Sequence, residues 1–312
     1  MRRSASALAI LPFALVFVLA AALGIAGFYA TPRAATSVAS SALPTVTPRA
    51  SARAPSASPG ATRSDAEEML RVHNGLRLAI GAPVLRVDPR VTAAAQRHAE
   101  YLAQNGTLGH DESPGAEGFS GTSVRDRLAA QGYADATASE VTIAFTSGID
   151  GVRSLWLLPY HRLGLMHPHA IIAGWGYAEF GGRSTTVGVI VYDFASSAPD
   201  IVRSPGIGQR VQGSWQGDES PDVLPAGATR PVGYPVMLVA SGAKPVELRL
   251  ARLTDGAGRE IAHWVVPQIY ERDYVGIVPA QPLARGTRYG VRLELIIAGA
   301  DIVEEWDFTT EP

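Results

Sequence analysis

An apolar run that stops at a titratable residue is the feature that most constrains this sequence. The stretch Ser154–Pro168 reads SLWLLPYHRLGLMHP, and its apolar part ends at Pro159. The next residues are Tyr160, His161 and Arg162. Such a run is expected to bury itself and to leave His161 where burial stops. An imidazole beside a cation at the edge of a core is a candidate functional site, although a single histidine is more often structural.

Composition excludes several classes of function. A chain of 312 residues predicts about two domains plus segments outside them. The net charge of -2 lacks the basic signature of a nucleic-acid partner. Cysteine is absent, which excludes disulfides, thiolate metal sites and cysteine nucleophiles. The usual hydrolase, nucleotide-binding and zinc-protease motifs (G-x-S-x-G, the P-loop and H-E-x-x-H) are also absent.

The first 63 residues predict a membrane anchor and a tether. An apolar stretch, Ala7–Ala30, follows Arg2 and Arg3 and approaches the roughly 20 residues that span a bilayer. No clean small-x-small cleavage site follows it, so residues 1–30 are predicted to be an uncleaved signal anchor with the bulk of the chain extracytoplasmic. A cleaved signal and a secreted protein are the alternative. Residues 31–63 are mostly Ala, Ser, Pro, Thr and Arg, which predicts a disordered linker.

The next segment, residues 64–197, predicts helices first and strands afterwards. Ser64 and Glu67 have the spacing of a capping box, and Asp88-Pro89 marks the start of a second helix. A strand is predicted from Glu140, and two antiparallel strands are predicted near 170–180 and 185–194. This order favours an α+β fold in which helices cover a sheet on both sides.

An ordered set of motifs runs through this segment. The motifs are His73-Asn74 with Arg77, Gly81-Ala82-Pro83-Val84-Leu85, Asp88-Pro89, Ala94-Ala95-Gln96, His98-Ala99, His110, Glu140, Pro159-Tyr160-His161-Arg162 and Gly174-Trp175-Gly176-Tyr177. In this order they resemble the CAP superfamily, the SCP-like extracellular domain, in its cysteine-free bacterial branch. The resemblance covers about residues 65–195 and implies an α-β-α sandwich.

The resemblance also implies a site. In this family two histidines and two glutamates face a shared cleft, and in some members the histidines bind a divalent metal. Here His110 and His161 match the histidine pair, and Glu140 matches the first glutamate. The second glutamate should follow Trp156 shortly, but no carboxylate stands there.

Two further side chains are candidates for the same cleft. Asp150 lies one or two helical turns before the expected position of the second glutamate, and Arg162 is adjacent to His161. Neither replaces the missing glutamate by its spacing. The other charged and imidazole groups nearby are predicted to have no part in the site. His98 is predicted to be a core histidine, and Glu112 is predicted to lie in a solvated loop.

Three kinds of chemistry are open to His110, Glu140 and His161. Two imidazoles with a carboxylate can hold a divalent metal such as Zn, and a bound water could then be activated. Glu140 or His161 could instead act directly as a catalytic acid or base. The third interpretation is a hydrogen-bonded polar cluster that joins loop, strand and helix end. No cofactor other than a divalent metal is expected.

The remainder of the chain predicts a second, all-β domain. Residues 198–230 are rich in Pro, Gly, Ser and Asp and are predicted to be a linker. Residues 231–312 contain short alternating segments separated by turns, which predicts an immunoglobulin-like β-sandwich. No catalytic cluster occurs in it, so a spacer or adhesion role is expected.

These features predict an extracytoplasmic surface protein whose CAP domain is a binding or interaction module for a lipid, cell-envelope or protein ligand. The alternative is a metal-dependent hydrolase acting on peptide or cell-envelope substrates. The missing second glutamate favours binding over catalysis.

Overall fold

The structure is a computed structural model that describes residues 63–144 and 147–312. The predicted signal anchor, residues 1–30, and nearly all of the predicted linker 31–63 lie outside the described residues. In the part of the chain that is described, no helix is long and apolar enough to cross a membrane.

The first half of the described chain forms three layers, helix on sheet on helix. The helices are α1 (Arg63–Ala79), α2 (Pro89–Asn105), α3 (Val124–Ala130), α4 (Gly148–Leu157) and α5 (Pro159–Met166). The strands are β1 (Thr137–Ile143), β2 (Ala170–Phe180) and β3 (Arg183–Tyr192), which pair antiparallel in the order β1-β3-β2. One apolar cluster joins the sheet to α1, α4 and α5, and another joins it to α2 and α3. The predicted α+β sandwich is confirmed.

The glycines of β2 allow α2 to lie directly on the sheet. A Cβ atom at Gly174 would come within 2.4 Å of the backbone nitrogen of Thr92, and one at Gly176 within 2.5 Å of the backbone of Gln96. Trp175 between them is buried in the opposite core. Because side chains alternate along a strand, the Gly-Trp-Gly sequence gives β2 one flat face and one bulky face.

The second half of the described chain is a β-sandwich. Its strands are β4 (Ile201–Ser204), β5 (Arg210–Val211), β6 (Ser214–Trp215), β7 (Val232–Gly233), β8 (Val236–Ala240), β9 (Val246–Asp255), β10 (His263–Val265), β11 (Tyr274–Pro279), β12 (Arg288–Ile297) and β13 (Ala300–Thr310). One sheet has the order β10-β11-β8-β4, a second has the order β5-β13-β12-β9, and β6 pairs with β7. The predicted sandwich is confirmed.

The predicted linker 198–230 is not a separate linker. It contributes β4 to the first sheet, β5 to the second and β6 to the small ladder. These strands have two to four residues each, which is too short for a period-two pattern to stand out among the prolines and glycines. The segment is therefore part of the folded sandwich.

Strands β8 and β11 are buried on both faces. Val236 and Leu238 pack into the core of the sandwich, whereas Met237 and Val239 belong to the same apolar cluster as Trp156 of α4. Strands buried on both faces have continuous apolar sequences, and β8 reads VMLVA. A continuous core therefore packs the sandwich against α4 and α5.

Candidate functional site

A carboxylate from the β-sandwich half of the chain caps helix α5. The residue before this helix, Leu158, has no side-chain capping bond, and Pro159 occupies the first turn. The backbone nitrogen of Tyr160 donates to Glu219 Oε2 at 3.0 Å, and that of His161 donates to Glu219 Oε1 at 3.0 Å. Glu219 thus satisfies two helix N–H groups that the local sequence leaves without a partner.

The same carboxylate fixes the His161 ring. Glu219 Oε1 lies 2.8 Å from His161 Nδ1, and the two side chains are 0% and 18% exposed respectively. An ionised carboxylate only accepts hydrogen bonds, so the neutral ring carries its hydrogen on Nδ1. His161 Nε2 then carries the lone pair.

Glu140 is the centre of a second group. Its side chain is 2% exposed, and its Oε2 accepts from Arg127 Nη2 at 2.7 Å. Its Oε1 lies 3.2 Å from His110 Nδ1 and 3.4 Å from His98 Nε2. Both oxygens of Glu140 are therefore engaged by neighbouring side chains.

Glu112 lies beneath this group and is also buried. Its Oε1 is 3.0 Å from His98 Nδ1, and its Oε2 accepts from the backbone nitrogens of Ser120 and Gly121. Burial by itself raises the pKa of Glu112, but the hydrogen bonds from His98 and Ser120 and the charge of Arg127 outweigh burial and lower the pKa. The predicted solvated loop is wrong at this residue.

His98 connects the two carboxylates. It is fully buried, with Nδ1 facing Glu112 and Nε2 facing Glu140 and the carbonyl oxygen of Gly109. The predicted burial of His98 is confirmed, but its role goes beyond packing. Sequence reasoning missed this because the carboxylates that meet it come from a later loop and from β1.

Arg127 holds the loop before α3 against the sheet. Its side chain is fully buried, and it donates to the carbonyl oxygens of His110 at 2.9 Å and Gly121 at 3.2 Å as well as to Glu140. The residue has no distinctive signal in the sequence, because an arginine in a short capped helix is usually a surface charge. Its position four residues after the capping Ser123 is the only local indication that it points back over the loop.

His110 is the accessible member of this group. Its side chain is 56% exposed, and its Nδ1 faces Glu140. It therefore shares with His161 an arrangement in which a buried carboxylate engages Nδ1. Within the described residues, Nε2 of neither ring has a hydrogen-bond partner.

Helix α5 contacts strand β1 at the residue before Glu140. Gly164 lies one helical turn after His161, and a Cβ atom there would be 2.9 Å from Ser139 Oγ. Ser139 directly precedes Glu140 on β1. No hydrogen bond or ion pair joins His110 to His161 among the residues that the structure describes.

The donor set does not fit a resident metal ion. No group of three or more histidine, aspartate or glutamate side chains that could hold a metal occurs in the described ranges 63–144 and 147–312. Both oxygens of Glu140 accept from protein groups, and so do both oxygens of Glu219. Zinc sites need about three or four protein donors, which this arrangement does not supply.

Arg162 does not line the predicted cleft. It is fully buried and donates to the carbonyl oxygens of Leu157 at 3.0 Å and Pro235 at 2.9 Å and to Ser204 Oγ at 3.2 Å. Its guanidinium also lies 4.7 Å from the ring centre of Tyr234. Because its acceptors come from both halves of the chain, Arg162 fastens the sandwich to the end of α4 rather than binding an anion.

Asp150 lies at the start of α4. Its backbone nitrogen donates to Ser147 Oγ at 3.1 Å, and its carboxylate accepts from the same hydroxyl at 2.8 Å. Arg153 Nη1, on the same helix, lies 3.8 Å from Asp150 Oδ1. These contacts form a local helix cap, and in the described residues Asp150 has no contact with His110 or His161. The prediction that it lines the cleft gains no support.

Comparison with known sequence families identifies the first half of the described chain. Residues 70–192 match the model of the cysteine-rich secretory protein family, CAP. This segment is a CAP domain, as the resemblance predicted. No curated protein matches the sequence.

Comparison with solved structures found partial matches. CopC from Methylosinus trichosporium OB3b is 18% identical with a TM-score of 0.26, over 35% of this chain and 89% of that chain. An outer surface protein from Borrelia burgdorferi is 16% identical with a TM-score of 0.37, over 42% of this chain and 95% of that chain. An extracellular protein containing a SCP domain from Bacillus anthracis strain Ames is 20% identical with a TM-score of 0.35, over 42% of this chain and 41% of that chain.

Proposed function

We propose that this protein is an extracytoplasmic binding protein whose CAP domain takes a cell-envelope ligand at a cleft edged by His110 and His161. One observation supports this proposal above the others. The carboxylates near both histidines are used inside the protein, whereas each imidazole keeps Nε2 without a partner among the described residues. The groups left for a ligand are therefore the two rings.

We favour binding over hydrolysis because no carboxylate follows Trp156, where the resemblance places the second glutamate of the family's cleft. The carboxylates of Glu140 and Glu219 each accept from two or three protein donors, so neither is free to act as a general base. An unprotonated Nε2 accepts a hydrogen bond from a ligand hydroxyl or amide N–H. The predicted metal-dependent hydrolase gains no support from this donor set.

Exposed apolar side chains next to the histidines suit an amphipathic ligand. Leu108 is exposed two residues before His110. Tyr270 is exposed and packs edge-on against Tyr160, with ring centres 5.2 Å apart, directly beside His161. Ligand sites commonly combine apolar walls with a few oriented polar groups. A glycan, peptide or lipid of the cell envelope has both kinds of surface.

The proposed location rests on the N-terminal sequence. Ala7–Ala30 is apolar over nearly the length that spans a bilayer, and a Pro- and Ser-rich stretch follows it. We expect the full chain in the membrane fraction, where detergent releases it and high salt does not. Recovery from the culture medium with a new N-terminus would overturn the anchor and establish a cleaved signal.

The binding proposal is tested with the full chain and two probes. Soluble peptidoglycan fragments and vesicles of phosphatidylglycerol and phosphatidylethanolamine are titrated into wild type, into the His110→Ala/His161→Ala double variant and into His263→Ala. We expect one probe to bind wild type and His263→Ala equally and the double variant at least about tenfold more weakly, which corresponds to about 1.4 kcal/mol. Equal binding by all three proteins, or no binding by the wild type, would overturn the proposal.

A further inference from the structure

We propose that Glu219 is a positioning residue that determines which ring nitrogen of His161 carries the hydrogen. The β-sandwich is therefore part of the ligand site rather than a spacer. This inference rests on the proposed binding function. Glu219 lies 58 residues after His161, beyond the residues that match the CAP family. The CAP domain alone does not contain the group that orients this ring.

The segment that carries Glu219 is held firmly by the sandwich. The pairing of β6 with β7 closes its two ends, with Trp215 opposite Val232. Arg230 Nε donates to the carbonyl oxygen of Gly217 at 2.8 Å. Trp215, Val223 and Leu224 are buried in the apolar cluster that also contains Tyr160. These contacts keep the Glu219 side chain fully buried in one place.

A second part of the sandwich reaches the same helix. Tyr160 donates its hydroxyl hydrogen to the carbonyl oxygen of Pro267 at 2.9 Å, and its ring packs against Tyr270. The loop between β10 and β11 therefore lies beside the residue that precedes His161. Burial raises the pKa of Tyr160, so its hydroxyl remains a hydrogen-bond donor at neutral pH.

The chemical consequence concerns the tautomer of His161. While Nδ1 donates to Glu219, the neutral ring presents Nε2 as an acceptor. Without that carboxylate the hydrogen can occupy Nε2, which turns the acceptor into a donor. In metal sites, loss of the group that orients a ligating histidine commonly lowers metal affinity by about ten- to a hundredfold. We expect a loss of similar size for the ligand that His161 binds.

Two substitutions separate positioning from helix capping. In Glu219→Gln, the amide oxygen can still accept from His161 Nδ1 and His161 N, but the amide NH2 then faces the Tyr160 N–H, so one capping bond is lost. In Glu219→Ala, all three bonds are lost. We expect both variants to be less stable than wild type, and only Glu219→Ala to change the ring. Asp218→Ala removes an exposed carboxylate from the adjacent position and is the matched control.

The experiment is nitrogen NMR of histidine side chains in the full chain labelled at the imidazole nitrogens. We expect the hydrogen of neutral His161 on Nδ1 in wild type, Asp218→Ala and Glu219→Gln, and a substantial Nε2–H population in Glu219→Ala. An Nε2–H ring in wild type, or the same tautomer in Glu219→Ala, would overturn the inference. If Glu219→Ala does not fold, an Nε2–H ring in wild type or in Glu219→Gln still overturns the inference.

The readout separates this inference from the proposed function, because the tautomer is measured without any ligand. A tautomer that depends on Glu219, with no binding of peptidoglycan fragments or vesicles, supports the positioning role and overturns the binding function. Binding that requires His161 but is equal in Glu219→Ala overturns the positioning role and supports the binding function. Where the positioning role and the binding function both hold, we expect Glu219→Ala to bind the probe at least about tenfold more weakly than wild type.

Discussion

The guanidinium of Arg127 lies 2.7 Å from the carboxylate of Glu140, and neither side chain is more than 2% exposed. Arg127 is also 3.9 Å from the second buried carboxylate, Glu112. One buried cation therefore faces two buried acids at the base of the loop that presents His110. Removing one partner of such a pair leaves an uncompensated charge in the interior.

Replacement of Arg127 is expected to be strongly destabilising. We expect Arg127→Met to lower the free energy of unfolding by about 3–5 kcal/mol. The matched control is Arg125→Met, two residues earlier on α3, where the side chain is 75% exposed and its partner Asp135 is 91% exposed. That change should stay within about 0.5 kcal/mol. Urea denaturation of the three proteins measures both, and equal stability of the two variants would contradict the buried network.

His73 makes stability depend on pH. Burial, helped by the nearby charge of Arg77, lowers the pKa of His73 to about 3. In the unfolded chain its pKa is about 6.5, so below that pH the unfolded state binds the proton first. This contribution to stability is intact above pH 6.5 and is lost progressively as the pH falls towards 3. Between pH 6.5 and 4.5 the loss is about 2–3 kcal/mol.

The His73→Gln variant tests this origin of the pH dependence. Glutamine is neutral throughout and can still donate to the carbonyl oxygen of Leu165, which lies 2.9 Å from His73 Nε2. We expect the variant to lose less stability than wild type between pH 6.5 and 4.5, as measured by denaturation at each pH. Parallel stability curves would show that other groups cause the acid sensitivity.

Two glycine substitutions should act in opposite directions. Gly174→Ala forces a Cβ atom to within 2.4 Å of the backbone of α2, so helix and sheet must separate. We expect a loss of about 3 kcal/mol or more, or failure to fold. Gly75→Ala in α1 meets no atom within 4 Å and should stabilise by about 0.5–1 kcal/mol. Thermal unfolding distinguishes them, and a tolerated Gly174→Ala would contradict the close packing of α2.

Arg162 should matter for stability and not for recognition. Lysine cannot reproduce the planar fork that reaches Leu157, Ser204 and Pro235. We expect Arg162→Lys to cost about 2–4 kcal/mol, because buried acceptors lose their donors. Arg153→Lys, on an exposed face of α4, is the control. A stable Arg162→Lys protein with altered probe binding would instead restore the predicted place of Arg162 in the cleft.

A zinc titration distinguishes this site from a metal cleft. Because Glu140 and Glu219 are engaged by protein donors, we expect wild type to bind zinc no more tightly than the His110→Ala/His161→Ala variant. Calorimetry on the two full-length proteins measures this difference. A one-to-one site that disappears in the double variant would contradict the donor analysis.

The parts of the structure that could be predicted are those with local signals. The cap at Asp88 is as expected, and so are the antiparallel strands β2 and β3. His110 and Glu140, which both match family positions, lie with Nδ1 and Oε1 3.2 Å apart.

The parts that could not be predicted depend on contacts distant in sequence. Glu219 lies in a segment of proline, glycine and serine with no helical or strand period, so no local pattern connects it with His161. Arg162 and Arg127 look like surface charges until the acceptors that surround them are placed. Asp150 was the nearest carboxylate in sequence to the expected second glutamate, but the structure uses it as a cap for its own helix.

The most direct test of the binding site is to observe both imidazole rings while a probe is added. Nitrogen NMR of the histidine side chains in the full chain, during titration with peptidoglycan fragments and then with the vesicles, gives the state of His110 and His161 separately. We expect hydrogen on Nδ1 of both neutral rings and a shift of both Nε2 signals with the same probe. Probe binding that leaves both Nε2 signals unchanged would place the ligand elsewhere and contradict the proposed cleft.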